Sequence, residues 1–246
     1  MNEAFVFFKE ELQQAAKLRN EIPVFLNGAY LKGDNEKYRR MYNWMAAGYD
    51  VVETIVGKLK YGNQVNETRR QLMEKLEWNN GLSVLYVSIG TGKDLAFIPE
   101  SIVANSLQIV GADISIGMLK KCRKKYAGKL KLTLVNCCAE DLPFKDNAFD
   151  IVFHVGGINF FNDKKKAIEE MVRVAKPGTK LLIADETNEL VEQQFRKGQF
   201  SKKYFEQATA DPTVIETLVP PTERVTELLW DGKFFCITFR KEQKMA

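Results

Sequence analysis

The chain has 246 residues, of which 45% are hydrophobic and 28% charged, and its formal net charge is +4. This composition is ordinary for a soluble globular protein, and the chain is long enough for one α/β domain with a sizeable core and too weakly basic to indicate nucleic acid or a membrane surface as partner. No stretch approaches the ~18 apolar residues of a membrane span, and the four cysteines, Cys122, Cys137, Cys138 and Cys236, have neither zinc spacing nor a disulfide framework, so no metal site is expected. The first residues combine acidic side chains with no long apolar run, which argues against a signal peptide and for a reducing, cytoplasmic location.

Residues 1–80 predict a helical cap. Residues 3–19 carry Phe5, Phe8, Leu12, Ala15, Ala16 and Leu18 close to a 3.6-residue repeat. Pro23, Gly28 and Gly33 punctuate the next stretch. Residues 38–59 contain Tyr42, Trp44, Met45, Tyr49, Val52, Ile55 and Val56, an aromatic-rich helical pattern interrupted at Gly48, and residues 66–76 predict a third helix. Each aromatic residue alone reads as core packing. Together they predict a lid over a small-molecule pocket.

The stretch from Val84 to Asp113 organises the rest of the chain. An apolar run ends in Ser88-Ile89-Gly90-Thr91-Gly92, a polar segment predicts a crossover helix, and a second apolar run ends in Gly111-Ala112-Asp113. Two continuous apolar runs joined this way predict parallel strands buried on both faces. Glycines at the first strand's end let a ligand approach bare backbone. An acid about 20 residues further on accepts hydrogen bonds from ribose hydroxyls. A third dinucleotide glycine would fall at position 95, which is Leu95, and the segment lacks the longer glycine loop of a phosphate cradle. A nucleoside without a phosphate remains, and S-adenosyl-L-methionine is the cofactor that suits it. The bland reading is a strand-to-helix turn that binds nothing.

Downstream, residues 115–126 predict a helix with Ser115 as cap. Its Lys120, Lys121, Arg123, Lys124 and Lys125 read as a solvated face, because no aromatic residues alternate with them to stack on bases. Residues 130–135 predict the third strand, residues 149–155 the fourth, with Gly156-Gly157 after it, and residues 181–184 the fifth. Residues 163–175 predict an amphipathic helix stopped by Lys176-Pro177-Gly178. Adjacent Cys137 and Cys138 read as small buried side chains. Asp231-Gly232 predicts a two-residue hairpin turn between residues 223–230 and 233–240. The expected fold is α/β, a Rossmann-like seven-stranded mixed sheet: five parallel strands plus a C-terminal antiparallel hairpin. Residues 1–80 would form the cap and 81–241 the cofactor-binding domain.

In order and spacing, residues 84–185 resemble the class I S-adenosylmethionine-dependent methyltransferases, nearest the menaquinone and ubiquinone C-methyltransferase group. Ser88-Ile89-Gly90-Thr91-Gly92 stands at the family's glycine motif and Asp113 at its ribose-binding acid. Ala139-Glu140-Asp141-Leu142-Pro143-Phe144 is similar to its adenine-side loop, and Val174-Ala175-Lys176-Pro177-Gly178 to a later turn. Ala46-Ala47-Gly48-Tyr49-Asp50 is similar to an N-terminal element beside the pocket. The chain departs from the pattern at Tyr86, usually an acid, at Ser88, usually glycine, and at Cys138, commonly Asp or Asn. The resemblance implies cofactor contacts from Ser88, Gly90, Thr91, Gly92, Asp113, Met118, Cys138, Ala139, Glu140 and His154. It implies methyl transfer by in-line displacement to a small, apolar or aromatic acceptor. His154, near the carboxyl end of the fourth strand, and Tyr49 are the candidate bases if the acceptor must lose a proton. The alternative, prompted by Tyr86 and Cys138, is a protein that keeps the fold and binds cofactor or a partner without catalysis.

Overall fold

The computed structural model describes residues 6–13, 17–46, 61–192 and 211–243. In chain order its elements are α1 (Glu10–Gln13), β1 (Lys17–Arg19), β2 (Ile22–Val24), α2 (Gly33–Met45), α3 (Gln64–Glu74), β3 (Ser83–Val87) and β4 (Gln108–Asp113). There follow α4 (Ile116–Tyr126), β5 (Leu132–Asn136), β6 (Ile151–Val155), α5 (Lys164–Val174), β7 (Lys180–Glu186), α6 (Asn188–Val191), α7 (Pro212–Leu218), β8 (Val225–Leu229) and β9 (Phe234–Arg240). The five strands expected to be parallel are so, in the order β5-β4-β3-β6-β7, and β9 and β8 close one edge antiparallel.

Burial on both faces explains why these strands read as unbroken apolar runs. Leu85, Val87, Val110, Val135, Val152 and Ile183 pack on one face with α5 residues Ile168 and Met171. Val84, Tyr86, Ile109, Phe153 and Leu182 pack on the other with Leu72 and Met73 of α3 and Leu119 of α4. Gly111 lies inside β4, opposite Tyr86 and Leu134. A Cβ there would overlap the Ile89 side chain and come within 3.0 Å of Leu134. The strand therefore needs a glycine for packing rather than for its backbone angles.

Four local expectations change. Among the described residues the sheet has nine strands rather than seven. Asn20 and Glu21 adopt left-handed φ of 52° and 60°, folding β1 back on β2, and β2 pairs with β5 through Val24 and Asn136. The helix expected over residues 3–19 is thus α-helical only at Glu10–Gln13 within its described part. Second, the β3-to-β4 crossover holds two 3₁₀ turns, Lys93–Phe97 and Ala104–Ser106, and no α-helix. Pro99 forces Ile98 into an extended conformation (ψ 130°), which stops the first turn. Third, the aromatic helix starts early, at Gly33, and its expected continuation beyond residue 46 lies outside the described residues. Fourth, the β8–β9 hairpin turns through four residues, since Leu229 pairs with Phe234. The Thr187 hydroxyl donates to the Gly232 carbonyl at 2.8 Å and the Thr187 amide to that of Lys233, which holds this turn off the ladder.

Gly111→Ala is expected to destabilise the protein by about 1–3 kcal/mol through overpacking against Ile89 and Leu134. Urea unfolding midpoints of the two proteins check this, and equal midpoints would show that the strand yields without cost.

Candidate active site

The strand order reverses at β3: the chain runs to β4 and β5 on one side and returns to β6 and β7 on the other. Ligands of open α/β sheets bind at the carboxyl ends of strands on either side of such a switch. The turn leaving β3 is built for it. Ser88, Gly90 and Gly92 all take left-handed φ, at 59°, 55° and 74°. Serine at Ser88 carries the side-chain strain that glycine avoids. A Cβ on Gly90 would meet nothing within 4 Å, so this position faces open space. A Cβ on Gly92 would lie 2.8 Å from both Cys122 and Tyr126, whose hydroxyl donates to the Gly92 carbonyl at 2.5 Å. Gly92 therefore serves the packing of α4.

Asp113 ends β4 with its carboxylate turned to this glycine turn. One oxygen accepts the Gly90 amide at 2.8 Å and the other the Ser115 amide at 2.7 Å. Burial raises its pKa to about 6, and the two amide bonds pull the other way. Asn136 donates to the carbonyls of Asp113 and Ile114 at 2.8 and 2.9 Å, and Ser115 caps α4 by accepting the Met118 amide.

These groups open on a cavity of about 690 Å³, within the range of small-molecule sites. Ser88, Gly90, Thr91, Asp113, Met118, Ala139 and Glu140 line it. The Glu140 carboxylate is itself engaged, accepting from the Asn35 side chain at 2.8 Å. The opposite wall is α2, through Tyr38, Met41, Tyr42 and Met45, and the loop after β6, through Gly156, Gly157 and Phe160. Tyr38 packs on Phe160 with ring centroids 4.3 Å apart, while Trp44 stands 77% exposed at the rim. Polar anchors seat α2. Asn43 accepts from the Ser115 hydroxyl and the Gly117 amide, both at 2.9 Å, and a Cβ on Gly117 would lie 3.1 Å from Asn43 Cα.

Three expected residues do not line the cavity: Gly92, Cys138 and His154. Cys138 is buried, with its thiol pushed up to about 12 by that burial. His154 is fully buried, with Nδ1 3.1 Å from the Val87 carbonyl and its ring against Phe161. Burial lowers its pKa to about 4, so the ring is neutral near pH 7. Tyr49 lies outside the described residues.

The structure also brings in residues that sequence reasoning missed. Asp185, at the carboxyl end of β7, lines the cavity beside Tyr42 and accepts the amides of Gly157 at 3.1 Å and Asn159 at 3.0 Å. Burial raises its pKa to about 6 as well. Its signal was available, since an acid closing a buried apolar run is what singled out Asp113. Asp94 and Arg69 also line the cavity, joined by an ion pair of 2.6 Å, and the Tyr86 phenol donates to Asp94. Nothing in spacing connects these three.

The donor set fits S-adenosylmethionine: a strand-end carboxylate with acceptor capacity left for ribose hydroxyls, a bare glycine turn, and room for a nucleoside with a side arm. The fold is shared with solved methyltransferases. A possible histamine N-methyltransferase from Thermotoga maritima, described as S-adenosylmethionine-dependent, superposes with a TM-score of 0.61 at 18% identity, covering 82% of this chain and 99% of that one. In sequence, residues 31–208 match the model of the ubiE/COQ5 methyltransferase family, and the chain belongs to that family. It is 34% identical over 155 residues to the ubiquinone/menaquinone biosynthesis C-methyltransferase of Geobacter sulfurreducens, covering 61% of this chain and 58% of the relative. It is 30% identical over 166 residues to the demethylmenaquinone methyltransferase of Paenarthrobacter aurescens, covering 68% of this chain and 61% of that protein. The chain thus spans about six tenths of the length of these relatives.

The elevated pKa of Asp113 has a stability consequence. Its folded value, about 6, lies above the ordinary 3.8, so the folded state binds the proton more tightly. The resulting stabilisation is complete below pH 3.8 and is lost as pH rises through about 6. The ligand-free wild type should therefore lose up to about 3 kcal/mol relative to Asp113→Asn between those two limits. Urea unfolding of both proteins across pH 4–8 measures it. A pH-independent difference would mean the carboxyl is solvated and ordinary.

Proposed function

We propose that this chain transfers the methyl group of S-adenosylmethionine to a small apolar or aromatic acceptor. The observation that carries the reading is the Asp113 carboxylate, held by the Gly90 and Ser115 amides at the edge of the cavity. Membership of the ubiE/COQ5 family supports it. The bound cofactor supplies a methyl carbon on a sulfonium, which has a good leaving group. The protein's task is then alignment and water exclusion, worth up to ~7–11 kcal/mol in model reactions. Asp113 would hold the ribose, the turn from Ser88 to Thr91 the neighbouring backbone contacts, Met118 an apolar side, and Ala139 and Glu140 the adenine edge.

The acceptor would lie between α2 and the β6–β7 loops, against Tyr38, Met41, Tyr42 and Phe160. If its nucleophile carries a proton, Asp185 is the cavity carboxylate best poised to take it, since burial has brought its pKa to about 6. The Tyr42 phenol, pushed above its ordinary range by burial and by Glu186 and Asp185, stays protonated and serves as a hydrogen-bond donor. His154 has its Nε2 without a hydrogen-bond partner among the described residues, but sits behind the wall rather than in it.

We read residues 1–80 as a cap and 81–241 as the cofactor-binding domain, a division supported by α2 lining the cavity from outside the parallel strands. The β2–β5 pairing would anchor that cap to the sheet. Four buried free thiols and a pocket walled by apolar side chains favour a reducing cytoplasm and a small-molecule partner over nucleic acid. No helix among the described residues is long and apolar enough to cross a membrane.

Calorimetric titration with S-adenosylmethionine and S-adenosylhomocysteine tests the cofactor. Asp113→Ala should weaken both by about 1–3 kcal/mol through the lost ribose hydrogen bonds. Transfer of labelled methyl to a panel of phenols and quinols then tests the chemistry. A folded wild type that binds neither ligand at millimolar concentration would sink this reading.

A further inference from the structure

A second buried charge cluster opens on the cavity, apart from Asp113. Asp94 is 1% exposed and belongs to the 3₁₀ turn that follows the glycine turn. Its Oδ1 lies 2.6 Å from Nη1 of Arg69, on α3, and its Oδ2 accepts the phenol of Tyr86, on β3. Tyr86 is held in turn by stacking on Phe153, with centroids 4.2 Å apart. Three successive elements, α3, β3 and the 3₁₀ turn, thus converge on one carboxylate in the cavity wall.

Stability alone is a weak reason for such a cluster, because the cost of removing two charges from water rivals their attraction. Ligand chemistry supplies a better one. A carboxylate offers about four lone-pair sites, and the contacts with Arg69 and Tyr86 engage two; a guanidinium presents five N–H donors in a planar fork. Side by side on a cavity wall, an anion and a cation complement a ligand group that is itself a zwitterion. The position suits this. β3 and β4 are neighbours, so Tyr86 lies one strand away from the strand that ends in Asp113.

We propose that Asp94 and Arg69 bind the α-amino-acid end of the S-adenosyl ligand, Asp94 taking the ammonium and Arg69 the carboxylate. Tyr86 is the positioning residue, fixing the Asp94 carboxylate through its hydroxyl while the ring fills the space between the strand and Phe153. The inference rests on the nucleoside reading of Asp113 and adds to it. It also gives Tyr86 a place in a working site.

The test compares two ligands with the same nucleoside. S-adenosylhomocysteine carries the amino-acid end and 5′-methylthioadenosine lacks it. Calorimetry on the wild type should show the first bound at least about tenfold more tightly, as charge-assisted hydrogen bonds require. Asp94→Asn should close most of that gap while moving 5′-methylthioadenosine by no more than about twofold. Tyr86→Phe should narrow it by a smaller factor, in a protein that its melting curve shows to be folded.

A purely structural ion pair, tying α3 to the turn, would weaken both ligands alike or neither, and either result overturns the proposal. Should Asp94→Asn fail to fold, Tyr86→Phe decides alone, and an unchanged affinity ratio overturns it. A wild type that binds both ligands equally refutes the proposal while leaving the nucleoside reading intact. A wild type that binds neither removes both.

Discussion

The carboxylate of Asp113 ties together the two loops on which the cavity depends. It spans the Gly90 amide on one side and the Ser115 amide on the other, so the turn leaving β3 and the start of α4 share one anion. Neither loop has a strand partner at that point, and a buried amide without an acceptor is costly. The bond to Gly90 also holds a backbone that runs through left-handed angles at Ser88, Gly90 and Gly92. The same anion is poorly solvated, which is why its proton affinity rises. A group strained in this way gains from any ligand that brings hydrogen-bond donors to it.

The far wall rests on side-chain amides. Asn43 receives two hydrogen bonds from the start of α4, Asn35 reaches Glu140, and Asn162 accepts the Asp34 amide at 2.9 Å while donating to the Lys32 carbonyl at 2.6 Å. An amide is donor and acceptor at once, so one residue can satisfy both ends of a junction. These contacts hold α2 across the strand ends, beside an apolar cluster of Tyr38, Met41 and Tyr42 with Phe160 and Val191. Its aromatic side lines the cavity, with Tyr38 against Phe160.

Charge is distributed across the cavity in a graded way. Asp113 and Asp185 are both buried carboxylates bound by backbone amides, each with a pKa near 6, and they sit at the ends of β4 and β7 on opposite sides of the switch in strand order. Asp94, by contrast, is paired with a guanidinium. The two anions held only by backbone dipoles respond to pH and to incoming donors.

Much of this was legible in the sequence. Strands buried on both faces must be apolar throughout, so each of the five parallel strands announced itself, and Ser115 caps its helix as its residue type requires. Asp113 was legible because its place, one residue past an apolar run, fixes which end of the sheet it occupies. The β1–β2 hairpin was not, because three-residue strands have no periodicity to read and its turn uses Asn20 and Glu21 in angles that glutamate seldom takes. Nor was the four-residue turn at Trp230, whose length is set by hydrogen bonds to Thr187, 45 residues away. Periodicity and local chemistry determined the class of fold and the acid that ends the second apolar run. Only the tertiary structure decided which side chains share the cavity: Tyr86, Asp94 and Arg69 meet through the packing of α3 on the sheet, and a contact between positions 25 residues apart on different elements leaves no trace in spacing.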